Sequence, residues 1–228
     1  MNALIFGRRR QGKSTLALRL AMTYHHSVFI FDPNVQYHLG EGVPVFHDLE
    51  DLQAWIDDTH VDHGLVIYRP RVNRSSQSLE ESFSDFTEVI SVKGHWALVI
   101  DEASYLQSHA RIDPALEGLM RQAPRDGARN LQGQVVDVSI IQTTHRPVDC
   151  HSVCRALASD TFFFSTSLRR DLDFVEAQYG PEVSGGLTDL ERWHTVHLYS
   201  DANGAQRFTI WTQPSAWYVP IESGAGAG

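Results

Sequence analysis

Asn2-Ala3-Leu4-Ile5-Phe6 runs directly into Gly7-Arg8-Arg9-Arg10-Gln11-Gly12-Lys13-Ser14-Thr15, and Leu16, Ala17, Leu20, Ala21 and Tyr24 follow at helical spacing. A short apolar run, a loop of the form G-x-x-x-x-G-K-[ST] and an amphipathic pattern therefore stand in the order strand, phosphate loop, helix. The motif is a Walker A sequence in the structural context that its chemistry requires.

Polyphosphate is held when successive backbone N–H groups point inward at a helix N-terminus, where orphan donors and the positive end of the dipole favour an anion. Gly7 and Gly12 are expected to permit the tight wrap. Lys13 is placed to reach β- and γ-phosphate oxygens as a point charge, the Ser14 hydroxyl to take one site on Mg²⁺, and Thr15 to meet the α-phosphate. Gly7, Arg8, Arg9, Arg10, Gln11, Gly12, Lys13, Ser14 and Thr15 are thus the candidate ATP-binding residues. Three arginines stand where small residues are usual. They sense phosphate or a neighbouring subunit, or they are simply solvated.

Further apolar runs follow the first. Ser27 to Phe31 reads as a second buried strand, ending in Asp32-Pro33-Asn34-Val35-Gln36-Tyr37, and Gly64 to Tyr68 as a third, ending in the basic loop Arg69 to Arg74. Trp96 to Ile100 is the fourth, continuous and apolar as a strand covered on both faces should be. Val135 to Gln142 and Thr161 to Phe164 are the fifth and sixth, and Trp193–Tyr199 with Gln206–Trp211 form a terminal hairpin. Helical patterns lie between them: Asp48 caps one, Ser78 and Glu81 form a capping box before another, and a third stops at Gly180-Pro181. Alternating strands and helices predict an α/β, three-layer P-loop NTPase with a mostly parallel central sheet and a C-terminal β-hairpin, its ligands at the carboxyl ends of the strands. Residues 1–222 are expected to form one domain and 223–228, built of serine, glycine and alanine, a flexible tail.

A second half of the site lies after the fourth strand, where Ala97-Leu98-Val99-Ile100 is followed by Asp101-Glu102, a Walker B pattern of the RecA/ASCE-like kind. Asp101 is placed to hold the Mg²⁺ shell and Glu102 to orient and deprotonate an attacking water. A kinase attacks with a substrate hydroxyl and needs a second acid less, so the pair points to hydrolysis. The plainer reading is an acidic cap after a buried strand. His145, just beyond the fifth strand, is a candidate γ-phosphate sensor by position alone, with Gln142 as the alternative. The candidate catalytic set is therefore Lys13, Glu102 and His145, and the metal set Ser14 and Asp101.

A chain of 228 residues with 42% hydrophobic and 21% charged residues has the composition of a globular domain with one substantial core. Its net charge of −9 argues against a generally basic, DNA-coating surface, though not against a local basic lining inside a ring. The first strand begins by residue 2, which leaves no room for a signal peptide, and no apolar run approaches the roughly 18 residues that span a bilayer. A cytoplasmic protein is expected, with Cys150 and Cys154 as reduced thiols and C-x₃-C beside His145 and His151 too sparse for a metal site.

Taken together, the Walker A loop, V-F-I-F-D-P-N-V-Q-Y, A-L-V-I-D-E-A and I-I-Q-T-T-H-R-P-V-D resemble the FtsK/HerA superfamily of P-loop ATPases over most of residues 2 to 165. The resemblance departs at Gln36, where an acid is usual, at His145, where glutamine is usual, and in a phosphate loop with few glycines. It implies a ring-forming motor that moves double-stranded DNA, a hexamer, and the bare motor domain is most similar to viral or prophage genome-packaging ATPases. Implied with it are a capsid vertex or portal protein as partner and a place in the host cytoplasm or virion. The resemblance also implies an arginine acting across the subunit interface; Arg121, Arg125 and Arg129 are available, and Arg129 lies nearest the fifth strand. Arg71 and Arg74 are candidates for contact with DNA phosphates lining the pore, or belong to a solvated loop. Two other readings stay open: a P-loop kinase of a small molecule, and a nucleotide-dependent assembly protein with slow turnover.

Overall fold

The continuous apolar runs of the sequence become the middle of one sheet. The structure, a computed structural model, describes residues 1–59, 64–71, 76–91, 94–123, 137–191, 193–201 and 205–212. In chain order its elements are β1 (Asn2–Phe6), α1 (Lys13–Tyr24), β2 (Ser27–Phe31), β3 (Val45–Phe46), α2 (Leu49–Thr59), β4 (Gly64–Tyr68), α3 (Ser76–Ile90) and β5 (His95–Ile100). There follow β6 (Gln107–Ser108), β7 (Arg111–Ile112), α4 (Pro114–Gln122), β8 (Asp137–Thr144), α5 (Ser152–Leu157), β9 (Asp160–Phe163), α6 (Arg169–Tyr179), α7 (Pro181–Thr188), β10 (His194–Ser200) and β11 (Gln206–Thr212).

Nine strands make one sheet in the order β11-β10-β9-β1-β8-β5-β2-β4-β3. From β3 to β9 neighbouring strands are parallel, and β10 and β11 close the far edge as the antiparallel hairpin expected from the sequence. Alternation along the strands sorts the core into two faces. Leu4, Phe6, Phe29, Phe31, Trp96, Leu98 and Ile100 point to a face filled by side chains of α2 to α7. Ala3, Ile5, Val28, Ile30, Ala97 and Val99 point to the other, where α1 lays down Leu16, Ala17, Leu20 and Ala21. Helices therefore sandwich the sheet in three layers. Both faces are buried, which is why the central strands carry no polar alternation.

Two devices fix the ends of the elements that reach the site. Gly180, with φ of 96°, ends α6 in a conformation that an L side chain rarely adopts, and Pro181 at once begins α7, so the expected stop is also a start. Asn2, fully buried at the start of β1, donates its side-chain amide to the carbonyls of Met120 and Leu157 and ties the first strand to the helices on either side of β8.

Several boundaries differ from the sequence expectation. α3 already begins at Ser76, so Ser78 lies inside its first turn and not at its cap. β8 runs on to Thr144, because β1 pairs with it through Phe6 and carries the ladder two residues beyond Gln142. Residues 135–136, 202–204 and the tail 223–228 lie outside the described residues. Among the described residues no helix is long and apolar enough to cross a membrane.

Candidate functional site

The carboxyl ends of β1, β2, β5 and β8 open into a cavity of about 910 Å³. The loop after β1 contributes Arg9, Arg10, Gly12, Lys13, Ser14 and Thr15; β2 leads to Asn34, Val35, Gln36 and His38; β5 to Asp101, Glu102, Ser104 and Tyr105; β8 to Thr143 and His145. Trp193, just before β10, joins from the other side of β1. Arg10, Val35, Glu102 and Trp193 are the non-glycine residues with left-handed backbone among those described, and all of them line this cavity. Such conformations cost about 1–3 kcal/mol each and gather where a surrounding site over-determines them.

The phosphate loop closes as the motif requires, with its glycines in different roles. Gly12 takes φ of 102° and opens α1, accepting from Leu16 N at 2.9 Å, with no acid and no side-chain cap in the first turn to compete for the free N–H groups. Gly7 is required for proximity: a Cβ there would stand 2.7 Å from both Gln11 Oε1 and Phe164 Cβ. Gly7 thus permits the wrap through its lack of a side chain, whereas Gly12 does so through a left-handed backbone. Gln11 faces away from the cavity, accepting from Arg8 N at 2.6 Å and donating to Ser165 O at 2.9 Å, and so braces the loop on the exit of β9. Arg8 donates to Ser167 Oγ at 2.9 Å and lines, with Gly7, a neighbouring cavity of about 470 Å³.

Opposite the loop, the two acids are held by β8. The Thr143 hydroxyl donates to Asp101 Oδ1 at 3.0 Å and accepts from Glu102 N at 3.0 Å. Ser14 Oγ donates to Asp101 Oδ1 at 3.1 Å, which brings the expected metal pair into contact. Glu102 offers one carboxylate oxygen to Ser104 Oγ at 2.7 Å and the other to His145 Nε2 at 2.8 Å. The Nδ1 of the same imidazole lies 3.4 Å from Lys13 Nζ, whose ammonium also donates to Arg8 O at 3.1 Å. Ser14, Lys13, Asp101, Glu102 and His145 thus form one connected set.

Burial loads the site electrostatically. Desolvation lowers the Lys13 pKa, opposed by the charges of Glu102 and Asp101. Desolvation pushes the Asp101 carboxyl up to about 6, against hydrogen bonds from Thr143 and Ser14. A folded-state value above the unfolded 3.8 means that this group's contribution to stability is fully present below 3.8 and is lost as pH rises through about 6. Without nucleotide or divalent cation, Asp101→Asn is therefore expected to stabilise the fold by about 1–3 kcal/mol at pH 8. Its advantage over the wild type should vanish at about pH 3, below both values. Thermal unfolding of the two proteins at both pH values measures it, and equal melting temperatures at pH 8 would refute a strained Asp101.

Other expectations resolve differently. Gln142 is fully buried, accepting from Gln107 Nε2 at 2.7 Å and donating to Met120 Sδ at 3.0 Å, so of the two sensor candidates only His145 reaches the cavity. Arg69 is spent on buried Asp32, at 3.0 Å, while Arg71 is largely exposed, 3.5 Å from Asp48. Arg74, Arg125 and Arg129 lie outside the described residues, and Arg121 pairs with Glu117 on the same helix. Cys150 donates to Gln107 Oε1 at 3.2 Å, and that neighbouring thiol, with burial, holds the Cys154 thiol far above its ordinary range. No group of three or more histidine, cysteine or acidic side chains suited to a metal occurs among the described residues.

The sequence reading missed Thr143, Tyr105 and Trp193. Thr143 carried a signal, since it lies in the last two residues of β8, the strand that neighbours the one ending before Asp101-Glu102. Tyr37 was quoted without a role: it is buried, held through Asp32, which accepts from its N–H at 3.1 Å, and its hydroxyl donates to Ser14 O at 3.4 Å. The segment after β2 thereby touches the phosphate loop.

No family model and no curated protein matches the sequence. Solved structures do. The genome-packaging NTPase B204 of Sulfolobus turreted icosahedral virus 2, in complex with ATP-gammaS, superposes with a TM-score of 0.65 at 19% identity, over 93% of this chain and 96% of that one. B204, the DNA-packaging ATPase of Sulfolobus turreted icosahedral virus, gives 0.60 at 18% identity over 93% and 97%. With its nine-stranded sheet, its phosphate loop after the first strand and its closing hairpin, this chain has the three-layer P-loop fold of those viral packaging NTPases.

Proposed function

We propose that this chain is an ATPase of the FtsK/HerA type that couples ATP hydrolysis to the movement of double-stranded DNA, as the motor of viral or prophage genome packaging. The observation that carries the reading is the 3.1 Å contact between Ser14 and Asp101, which joins the two halves of a nucleotide site in the cavity that also holds Lys13, Glu102 and His145. Phosphates rest on the N-terminus of α1 and on Lys13. His145 stands between Lys13 and Glu102, where a terminal phosphate is sensed.

The donor set fits Mg²⁺. One hydroxyl and one carboxylate, both hard oxygens, match a cation that takes one or two protein ligands and completes its shell with phosphate and water. Asp101, pushed up by burial, gains most from a cation beside it. Ser14 and Asp101 would hold Mg²⁺, which would supply charge neutralisation to the bound phosphates. Glu102 accepts the proton of the attacking water.

Similarity of fold to two genome-packaging NTPases supports the motor assignment. The sequence resemblance to the FtsK/HerA superfamily adds to the reading double-stranded DNA as substrate, self-association into a hexameric ring, a capsid vertex or portal protein as partner, and a site of action in host cytoplasm or virion. An arginine donated across the interface, Arg129 first, belongs to the same reading. ATPase rate measured with and without double-stranded DNA tests it. Turnover is expected to rise several-fold with DNA, with a steep fall in DNA affinity as salt increases. DNA-independent ADP release that responds to a small phosphate acceptor would instead favour a kinase. Nucleotide binding without turnover would favour an assembly protein.

A further inference from the structure

Trp193 enters the cavity from the flank opposite the acids. In the sheet, β8 and β5, which carry His145 and Asp101, lie on one side of β1, whereas β9 and β10 lie on the other. β10 runs antiparallel to β9 with Val196 paired to Phe163, so the residues before His194 project past the carboxyl edge beside the phosphate loop. With neighbouring strands about 4.8 Å apart, β10 stands about 14 Å from β8, and the loop bearing Lys13 lies between them. A nucleoside triphosphate with its γ-phosphate at His145 and its phosphates along Lys13 carries its base toward Trp193. Tyr105, the other aromatic ring of the cavity near the acids, donates to Asn34 Oδ1 at 3.1 Å and belongs to the γ-phosphate flank.

The backbone of Trp193 supports the same conclusion. Its φ of 73° is a left-handed conformation that a bulky side chain rarely takes, and its indole is only partly exposed. Strain of this kind persists where the surroundings hold the residue for a purpose. A broad flat ring fixed at the rim of a polyphosphate cavity suits the π-face of a nucleobase, which stacks with little regard to its edge.

We propose that Trp193 is the platform on which the base of the bound nucleotide stacks, giving the site a preference for purine over pyrimidine triphosphates and little discrimination among purines. The proposal rests on the nucleotide reading above and names the residue that meets the base. Calorimetry of the wild type, Trp193→Ala and Trp193→Phe against a non-hydrolysable ATP analogue and against inorganic tripolyphosphate, each with Mg²⁺, tests it. The alanine variant should bind the nucleotide about 5- to 100-fold more weakly and tripolyphosphate within about twofold of wild type, while phenylalanine keeps most of the affinity. Unchanged nucleotide affinity in the alanine variant, or an equal loss for both ligands, would overturn the proposal. Should the alanine variant not fold, indole fluorescence decides. The nucleotide, and not tripolyphosphate, should quench a component present in the wild type and missing in Trp193→Phe, and identical quenching in the two proteins would overturn the idea. A wild type that binds tripolyphosphate and the nucleotide equally well also refutes the base platform. One that binds neither refutes the nucleotide site itself.

Discussion

Glu102→Gln is expected to bind Mg-ATP about as well as the wild type and to hydrolyse it at least about 100-fold more slowly, the scale on which a positioned base contributes. The carboxylate makes no contact with Asp101 or Ser14 that holds the loop together; its partners are Ser104 and His145, at 2.7 and 2.8 Å. Glutamine keeps the shape and one acceptor oxygen, so the left-handed turn at residue 102 and the hydrogen bond from Glu102 N to Thr143 survive the change. The capacity to accept a proton is lost, together with the negative charge and one of the two accepted hydrogen bonds, because the amide nitrogen can only donate. Single-turnover hydrolysis together with equilibrium binding separates the outcomes. Near wild-type turnover would place the base elsewhere, whereas a parallel loss of binding would make residue 102 structural.

The pairing of His145 with Glu102 gives that experiment a second use. An imidazole within reach of both Glu102 and Lys13 links the base to the phosphate-binding lysine through one side chain. Arg146, the next residue, pairs with buried Asp171 at 3.0 Å on α6, so the strand end that bears His145 is anchored on its far side. A shift of the imidazole on nucleotide binding would therefore be local.

How much of this was legible in the sequence depends on the distance between the parts. The phosphate loop and the acids after β5 each lie within a short window, next to apolar runs buried on both faces, and so both motif and strand could be read together. β3, β6 and β7 have two residues each, too few for any periodicity. Thr143 could be quoted but not assigned, because its role is a register: Ile100 pairs with Gln142, which places Thr143 beside Asp101. Gln142 looked like a sensor from its position in the motif, and only the packing of Gln107 and Met120 around it removes it from the cavity. Trp193 carried no motif at all. It reaches the site through the reversal of β10 on β9, which brings it into one cavity with the phosphate loop near the start of the chain, a juxtaposition that no local pattern encodes.

Lys13→Ala is expected to weaken ATP at least about 100-fold, from the loss of two or more charge-assisted hydrogen bonds of about 1.5–3 kcal/mol each. The ammonium is buried, with its pKa lowered by desolvation, and its contacts within the protein are Arg8 O at 3.1 Å and His145 Nδ1 at 3.4 Å. These are modest partners for a buried charge. Removing the lysine therefore relieves a desolvation cost as it gives up those contacts, and the fold is expected to keep its melting temperature within a few degrees. The sign of the pKa shift agrees: a lowered amine is a group whose charge the fold holds at a cost and whose charged form a polyphosphate would stabilise. Calorimetric titration with a non-hydrolysable ATP analogue, alongside thermal unfolding, measures both halves. Equal affinity in mutant and wild type would remove the phosphate loop from the site. Loss of binding with collapse of the melting transition would make Lys13 a strut of the fold, and the assignment of its charge to the phosphates would fail with it.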